Sequence, residues 1–580
     1  MRVLTIYLSE QKAEAEEQKE LFEKYIGGDG VAAKLLLENC PKGCDALSPE
    51  NPVILAIGPL TAAFPTCSKV VAMFKSPLTG ELGESHAGGR LGAAMRFAGY
   101  GAIVIKGRAE HPVYISIQND SVFFRDARSI WGISSAYTVG KILRGVEPAP
   151  GRRSLIRIGP AGEKLVRYAN VNVDTYRHFG RLGLGCVFGS KNLKAIAISG
   201  SKELPIASRK KYSEAYRELY DIVVNTDSLK KYHDFGTAVN VNPLNQLKAL
   251  PTRNLKASQF EYAEYISGEY FAENFLSRRV ACTGCPVGCI HIATLQIPFS
   301  NGFEFETKMI PYDYELIYAL GSLLGVPMGE SVLHLIEEVD HSGLDAITTG
   351  VVLAWATEAY EQRLISKRDT LDVAFFWGGV EAYAKAVRNI VRQPNEFYKA
   401  LARGVAYAAG KYGGEDFALA LGNLEIAGYH TGRANIVGHI AAPRHGHLDN
   451  AGYSIDQKAL KKPMKPEEVV DSLIEEDYWR CFVNTLVICL FARSVYDEDK
   501  IKKALDALGA TCEKDFVALG KEIFKLKYEF KLREGFRLDK VKIPKRFYET
   551  ESSQGMLREE EIKEMLRLYK GKIEELLCSK

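Results

Sequence analysis

The chain has 580 residues, 46% of them hydrophobic and 25% charged, with a formal net charge of +3 at pH 7. That composition excludes a disordered chain, and so small a charge gives no whole-chain attraction to nucleic acid or an anionic membrane, which leaves small molecules and other proteins as partners. The length calls for about three or four domains.

The N-terminus, MRVLTIYLSEQKAEAEEQKE, passes from a short apolar run straight into charged residues, without the apolar core of a signal peptide. No apolar run approaches the roughly 20 residues of a membrane span. The expectation is a cytoplasmic protein. Eleven scattered cysteines do not form a secreted disulfide framework, and a reducing compartment favours metal ligation for those that cluster.

In chain order, the first part is β-rich. Short apolar runs at Arg2 to Leu8, Pro52 to Gly58, Gly101 to Ile105, Val113 to Ile117, Ser154 to Ile158 and Lys194 to Ser199 alternate with Gly and Pro turns. Two segments there are dense in glycine and polar residues: KSPLTGELGESHAGGRLGAAMRFAGY from Lys75 and RHFGRLGLGCVFGSKNL from Arg177. In the second, Gly183, Gly185 and Gly189 let backbone N–H groups approach a ligand, and Arg177, Arg181, Lys191 and Lys194 suit phosphate. A tight turn on a sheet edge explains the same glycines. A dinucleotide fingerprint does not, because the spacing is wrong and too short a helix precedes KAIAIS.

From about Ser208 apolar residues recur at helical steps. The stretch ACTGCPVGCIH then places Cys282, Cys285 and Cys289 in one loop, with Pro286 and Gly288 to bend it. Such spacing suits a [4Fe–4S] cluster or a zinc held by four cysteines, and unligated core cysteines are the plain alternative. Glu330 to Gln362 reads as two helices broken at HSGLD, either a ring-binding acidic turn or simply a capped one. Between Tyr429 and Tyr453 stand four of the eleven histidines, His430, His439, His445 and His447, suited to acid–base work or metal ligation unless they are loop filler. Cys489, in FVNTLVICLFAR, is the natural fourth cluster ligand, with Cys481 as runner-up and an inert core thiol as the alternative for each. Lys521 to Arg546 carries ten basic against four acidic residues, a solvated face or a strip that steers an acidic electron-transfer partner.

Taken together, LSPENPVILAIGPLT, KSPLTGELGESHAGG, FAGYGAIVIKGRAEHPVYI, IGPAGEKLVRYA, GRLGLGCVFGSKNLKAIA, CTGCPVGC, DHSGLDAITTG and VICLF resemble the aldehyde:ferredoxin oxidoreductase family nearly end to end. The resemblance implies an α+β fold: a β-rich base domain, residues 1–207, then two mainly α-helical domains, 208–412 and 413–580, with a tungsten (or molybdenum) bis-molybdopterin at their interface. It implies a [4Fe–4S] cluster on Cys282, Cys285, Cys289 and Cys489. It also implies cofactor contacts from Lys69, His86, Gly88, Arg177, His178, Gly183 and Gly185. The family's Asp-x-x-Gly-Leu-Asp pterin motif matches Asp340 to Asp345, Leu344 included, while a second copy is degraded to Asn484 through Ile488 and Cys489.

Three departures stand out. His86 replaces an Asn associated with phosphates and magnesium, and because magnesium prefers oxygen ligands its usual arrangement is put in doubt. Lys69 replaces an Arg and lacks its forked geometry. The family's Glu-x-x-His, linked to a metal at a homodimer interface, is reversed to His334 and Glu337. The resemblance implies oxidation of an aldehyde to the carboxylate with ferredoxin as acceptor, Glu315 as acid–base residue, and His447 or His445 as the group that orients the carbonyl. The alternatives are another tungsten or molybdenum reaction, such as carboxylate or aryl-thioester reduction within a complex, or an electron-transfer iron–sulfur subunit without pterin.

Overall fold

The protein's structure, a computed structural model, describes residues 1–298, 304–444, 446–510, 512 and 515–578. The chain packs as two compact units, each discontinuous in sequence: Met1–Lys230 with Ala281–Val287 and Asp477–Phe536, and Lys231–Val280 with Gly288–Glu476 and Arg537–Lys580. Composition alone does not reveal that two later segments return to the first unit. The division at 207 and 412 remains a proposal beside this packing.

Among its described residues the first unit contains twelve strands: β1 (Arg2–Tyr7), β2 (Lys12–Glu17), β3 (Val53–Ala56), β4 (Val70–Lys75), β5 (Leu82–Ala87), β6 (Tyr100–Lys106), β7 (Val113–Gln118), β8 (Ser121–Asp126), β9 (Arg153–Arg157), β10 (Val171–Val173), β11 (Arg177–Phe179) and β12 (Leu193–Ser199). All six expected strands are among them. They form two six-stranded sheets, ordered β2-β1-β6-β3-β4-β5 and β11-β10-β9-β12-β7-β8. Central strands such as VVAMFK and LKAIAIS are buried along their length, as expected of strands covered on both faces. The edge strands KAEAEE and SVFFRD expose charges instead, which discourages further pairing.

The β4–β5 hairpin sets Met73 opposite Glu84 and Val71 opposite His86. Being two residues apart, Glu84 and His86 share one face of β5.

The second unit is mainly helical, with a three-stranded antiparallel sheet of Leu276–Val280, Ile290–Pro298 and Phe305–Tyr312. Its helix break falls where expected: Gly343, at φ +76°, caps Gly329–Ser342, and Asp345 begins Ala346–Glu361. Among the described residues no single helix is long and apolar enough to cross a membrane.

Candidate functional site

In the first unit the loop that carries Cys282 and Cys285 is fastened to the glycine pair that follows β5. The Gly89 N–H donates to Cys282 Sγ at 3.2 Å, and the Thr283 N–H donates to the Gly89 carbonyl at 3.1 Å. A Cβ on Gly88 would stand 2.7 Å from Cys282 Sγ and 3.6 Å from Lys69 Nζ, so only glycine lets the loop sit this close. Cys489 is held through its backbone, its N–H donating to the Thr66 carbonyl at 3.1 Å.

Cys67 and Tyr496 lie beside these thiols. Burial pushes the Cys67 thiol up to about 12, with the Cys489 charge adding to the effect. Burial, then Cys67 and Cys285 among other neighbours, pushes Tyr496 well above its ordinary value. Cys282, Cys285 and Cys489 are half-buried, whereas Cys481 is buried, and burial raises its thiol well above the usual range. Cys489 and Cys285 act on Cys67 and Tyr496, whereas Cys481 lies among Lys527, Asp29 and Glu84, so the half-buried set is the one placed to hold an iron–sulfur centre. Cys289, also half-buried, belongs to the second unit.

The glycine run packs against neighbouring backbone. Leu184–Ser190 is a buried helix that starts at Gly183, φ +86°. A Cβ on Gly185 would fall 2.1 Å from the Asn170 carbonyl oxygen, and one on Gly189 1.9 Å from that of Gly162. These two glycines therefore permit close backbone packing. Lys191 Nζ donates to the Pro49 and Gly107 carbonyls at 3.0 and 3.1 Å, and Lys194 pairs with Glu163, so neither lysine is offered to a phosphate. Arg177 does stay beside the cysteine loop's anchor: a Cβ on Gly89 would lie 3.6 Å from Arg177 Cγ. His178 is fixed opposite Asn172 in the β10–β11 pairing.

His86 has acids for neighbours. Its Nε2 lies 2.7 Å from Glu84 Oε1 and 3.5 Å from Asp29 Oδ1, while Lys527 Nζ sits 2.7 Å from Glu84 Oε2 and also pairs with Asp29. Among the described residues, Asp29, Glu84 and His86 bring their ligand atoms within 4.8 Å of one another. Magnesium does not fit this set, because an ammonium already pairs with both carboxylates and the third donor is an imidazole. Burial, then the Glu84 charge, holds the Asp29 carboxyl above its ordinary value despite Lys527 and His86. The same lysine corrects the reading of Lys521 to Arg546 as a solvated strip: Lys527 and Lys531 are buried, Lys531 lying 3.8 Å above the Phe536 ring.

The second unit brings Glu315 and His447 together. Glu315 lies in the first turn of Tyr314–Leu320, whose N-cap, Asp313, accepts the Leu316 N–H at 3.3 Å. Glu315 Oε2 accepts the Gly428 N–H at 3.1 Å, and Oε1 stands 3.2 Å from His447 Nε2. Gly428 has no room for a side chain, since a Cβ would meet the Tyr318 ring at 2.7 Å and the Tyr314 ring at 2.9 Å. Tyr429 lies 5.2 Å from the His447 ring and stacks on Tyr453 at 4.6 Å. Burial first, and then Glu315, push the Tyr429 hydroxyl well above its ordinary value. Sequence reasoning missed these tyrosines, although they bracket the histidine run.

The other histidines of that run separate. His430 and His439 are buried, and His430 Nε2 lies 3.0 Å from the Thr550 carbonyl oxygen. His445 lies outside the described residues. Burial drives His430 down to about 4 from an ordinary 6.5. Above pH 6.5 neither state is charged, but as pH falls from 6.5 to 4 the unfolded chain gains a proton the folded chain refuses. About 3 kcal/mol of stability is therefore expected to be lost over that window, and His430→Gln should flatten the loss in denaturant midpoints measured between pH 7 and 4.

Asp345 serves as a helix cap, Oδ1 accepting the Ile347 N–H at 3.0 Å and Oδ2 the Thr348 hydroxyl at 2.6 Å. Asp340 and Leu344 are buried beside this break. Glu337 has His341 at 3.3 Å and Lys308 at 3.6 Å as partners, rather than His334.

Family models for the "Aldehyde ferredoxin oxidoreductase, N-terminal domain" and for that protein's "domains 2 & 3" match residues 3–200 and 214–570. The tungsten-containing aldehyde ferredoxin oxidoreductases of Pyrococcus furiosus and Thermococcus kodakarensis are each 35% identical to this chain, over 98% of it and 95% of their own length. The aliphatic sulfonate oxidoreductase WOR-like subunit of Pyrococcus furiosus is 30% identical over 70% of the chain and 66% of its own length. Among solved structures, the active-site complex BamBC of benzoyl coenzyme A reductase with 1,5-dienoyl-CoA shares the fold at a TM-score of 0.81 and 20% identity, over 99% of this chain and 94% of that one.

Proposed function

The chain belongs to the aldehyde ferredoxin oxidoreductase family and is an oxidoreductase, and on that premise we propose that it oxidises an aldehyde to the carboxylate in the cytoplasm, RCHO plus water giving RCOO⁻, three protons and two electrons. The acceptor would be ferredoxin, two molecules per aldehyde, and a [4Fe–4S] cluster, when bound, would supply one-electron transfer to it. A tungsten (or molybdenum) bis-molybdopterin, when bound, supplies the two-electron redox step. The observation that carries the reading is the family match along both parts of the chain.

The chain's own residues have defined tasks. Glu315 Oε1 takes a proton released as water becomes the carboxylate's second oxygen. His447 Nε2, 3.2 Å from Glu315 Oε1, orients the Glu315 carboxylate with its one N–H, which turns to the substrate oxygen once the aldehyde binds. The Tyr429 and Tyr453 rings wall the pair and keep bulk water from it. Cys282, Cys285 and Cys489 would hold the cluster with Cys289, and the Gly89 N–H on Cys282 Sγ would favour the reduced, more negative state. Lys69, Gly88, Arg177, Asp340, Leu344, Asp345, Asn484 and Ile488 are proposed pterin neighbours. Asp345's capping role suffices to explain that residue alone.

Cys489→Ser is expected to lower iron per chain and bleach the cluster's visible absorption, whereas Cys481→Ala should leave both unchanged. The test of the reading as a whole is metal and pterin analysis on anaerobically purified protein, followed by an aldehyde screen with ferredoxin. Bound pterin and tungsten with no aldehyde turnover would favour a second reading, another tungsten or molybdenum reaction within a complex, which the likeness to the WOR-like subunit supports. Iron without pterin would leave the electron-transfer subunit.

A further inference from the structure

Beyond the redox chemistry, we infer that Arg90, Arg144 and Arg153 form a binding site for a tetrahedral oxyanion, the phosphate of a small phosphorylated molecule or free phosphate, separate from the pterin cofactor. The three guanidiniums and Asp174, with Leu155 and Gly151, line one cavity of about 120 Å³ in the first unit. That is room for roughly four waters, or for a phosphate and its nearest water.

Two of the three cations are held in place rather than swinging in solvent. Arg153 donates to the Arg144 carbonyl at 2.6 Å and to the Glu147 carbonyl, and Arg144 donates to the Asp174 carbonyl at 2.9 Å and to Thr175 Oγ1 at 2.7 Å. These acceptors fix geometry but are uncharged, so they neutralise nothing. Among the described residues Asp174 is the single carboxylate that lines the cavity. Its Oδ1 accepts the Leu155 N–H at 3.2 Å, its Oδ2 accepts the Arg90 N–H at 3.3 Å, and the Arg90 guanidinium lies 3.6 Å away. Three positive charges and one negative leave the cavity at +2.

The guanidiniums also repel one another. Burial lowers Arg144 from its ordinary value, Asp174 opposes this, and the charges of Arg90 and Arg153 lower it further. A dianion would remove the mutual repulsion, and planar guanidiniums with N–H groups to spare match the oxygens of phosphate. Gly151 is exposed, which opens the cavity to a soluble ligand. Arg90 follows Gly89 directly, so the cofactor's own phosphate is the rival occupant.

The experiment is calorimetric titration of the anaerobic holoenzyme with inorganic phosphate, and then with sulfate, against chloride at equal ionic strength. Phosphate binding is expected to weaken at least tenfold in Arg153→Gln and in Arg90→Gln, and to tighten in Asp174→Asn, with pterin and tungsten contents unchanged. Arg90 makes no contact to the backbone carbonyls that anchor the other two, so its variant keeps the test decisive if Arg153→Gln fails to fold. Tightening by a nucleotide or sugar phosphate over inorganic phosphate would assign the source to a phosphorylated metabolite, and equal affinity would assign it to free phosphate. No affinity beyond chloride's would overturn the site. So would pterin loss that parallels the loss of phosphate binding, because the arginines would then belong to the cofactor.

Discussion

Glu315→Gln is expected to lower kcat about 10²- to 10⁴-fold, the usual worth of a positioned acid–base group, with tungsten, pterin and iron contents unchanged. Gln has the same shape and keeps an oxygen to accept the Gly428 N–H now held at 3.1 Å, so helix Tyr314–Leu320 should stay in place. What it loses is the ability to take a proton, and the charge that faces His447 at 3.2 Å. KM should change little, because the carboxylate matters more to the transition state than to the bound aldehyde. The two residues act as one unit, so adding His447→Asn to the first variant should cost much less than His447→Asn costs alone. Stopped-flow reduction of the cofactor at saturating aldehyde checks the chemical step free of product release. Full-speed reduction in a fully loaded variant would remove Glu315 from the chemistry.

Glu315 and His447 were singled out before the fold by the family resemblance of the stretches that hold them, and their enclosure was half-legible, since Tyr429 and Tyr453 flank the histidine run. The strands were legible for a similar local reason: fully buried strands are continuous apolar runs. Features set by distant parts of the chain were not. Gly185 and Gly189 carry the composition of a ligand cradle, yet their neighbours are the Asn170 and Gly162 carbonyls of an adjoining segment, and composition cannot tell a ligand's approach from a backbone's. His430, His439 and His447 look alike in sequence and all three are buried, yet His447 faces the Glu315 carboxylate where His430 faces the Thr550 carbonyl. Lys527 is the clearest case. It lies among basic residues on a helix, while its partner Asp29 is 498 residues away, and nothing in the local pattern of either marks the pair.

Lys527→Met is expected to destabilise the protein by about 3–5 kcal/mol, the cost of leaving a buried charge uncompensated. The Asp29 and Glu84 side chains are fully buried, and Lys527 is the ammonium that touches both. The two carboxylates and Lys527 sum to −1, and removing Lys527 makes that sum −2. Such a charge forces proton uptake, and the sign of the pH dependence follows. Asp29 is already raised from its ordinary 3.8, by burial first and by Glu84 second. A carboxyl raised in the folded state binds its proton more tightly there than in the unfolded chain, so its contribution to stability falls as pH rises from 3.8 through the folded value. Loss of Lys527 raises that folded value further and widens the window, so the variant's deficit should be largest at neutral pH and shrink on acidification. The triple variant Lys527→Met, Asp29→Asn, Glu84→Gln removes all three charges and keeps the shapes, and should recover most of the loss. Denaturant midpoints of the three proteins between pH 4 and 8 separate these terms. A deficit in the single variant that is independent of pH, or no recovery in the triple variant, would mean that Lys527 acts by packing its four-carbon stem rather than by its charge.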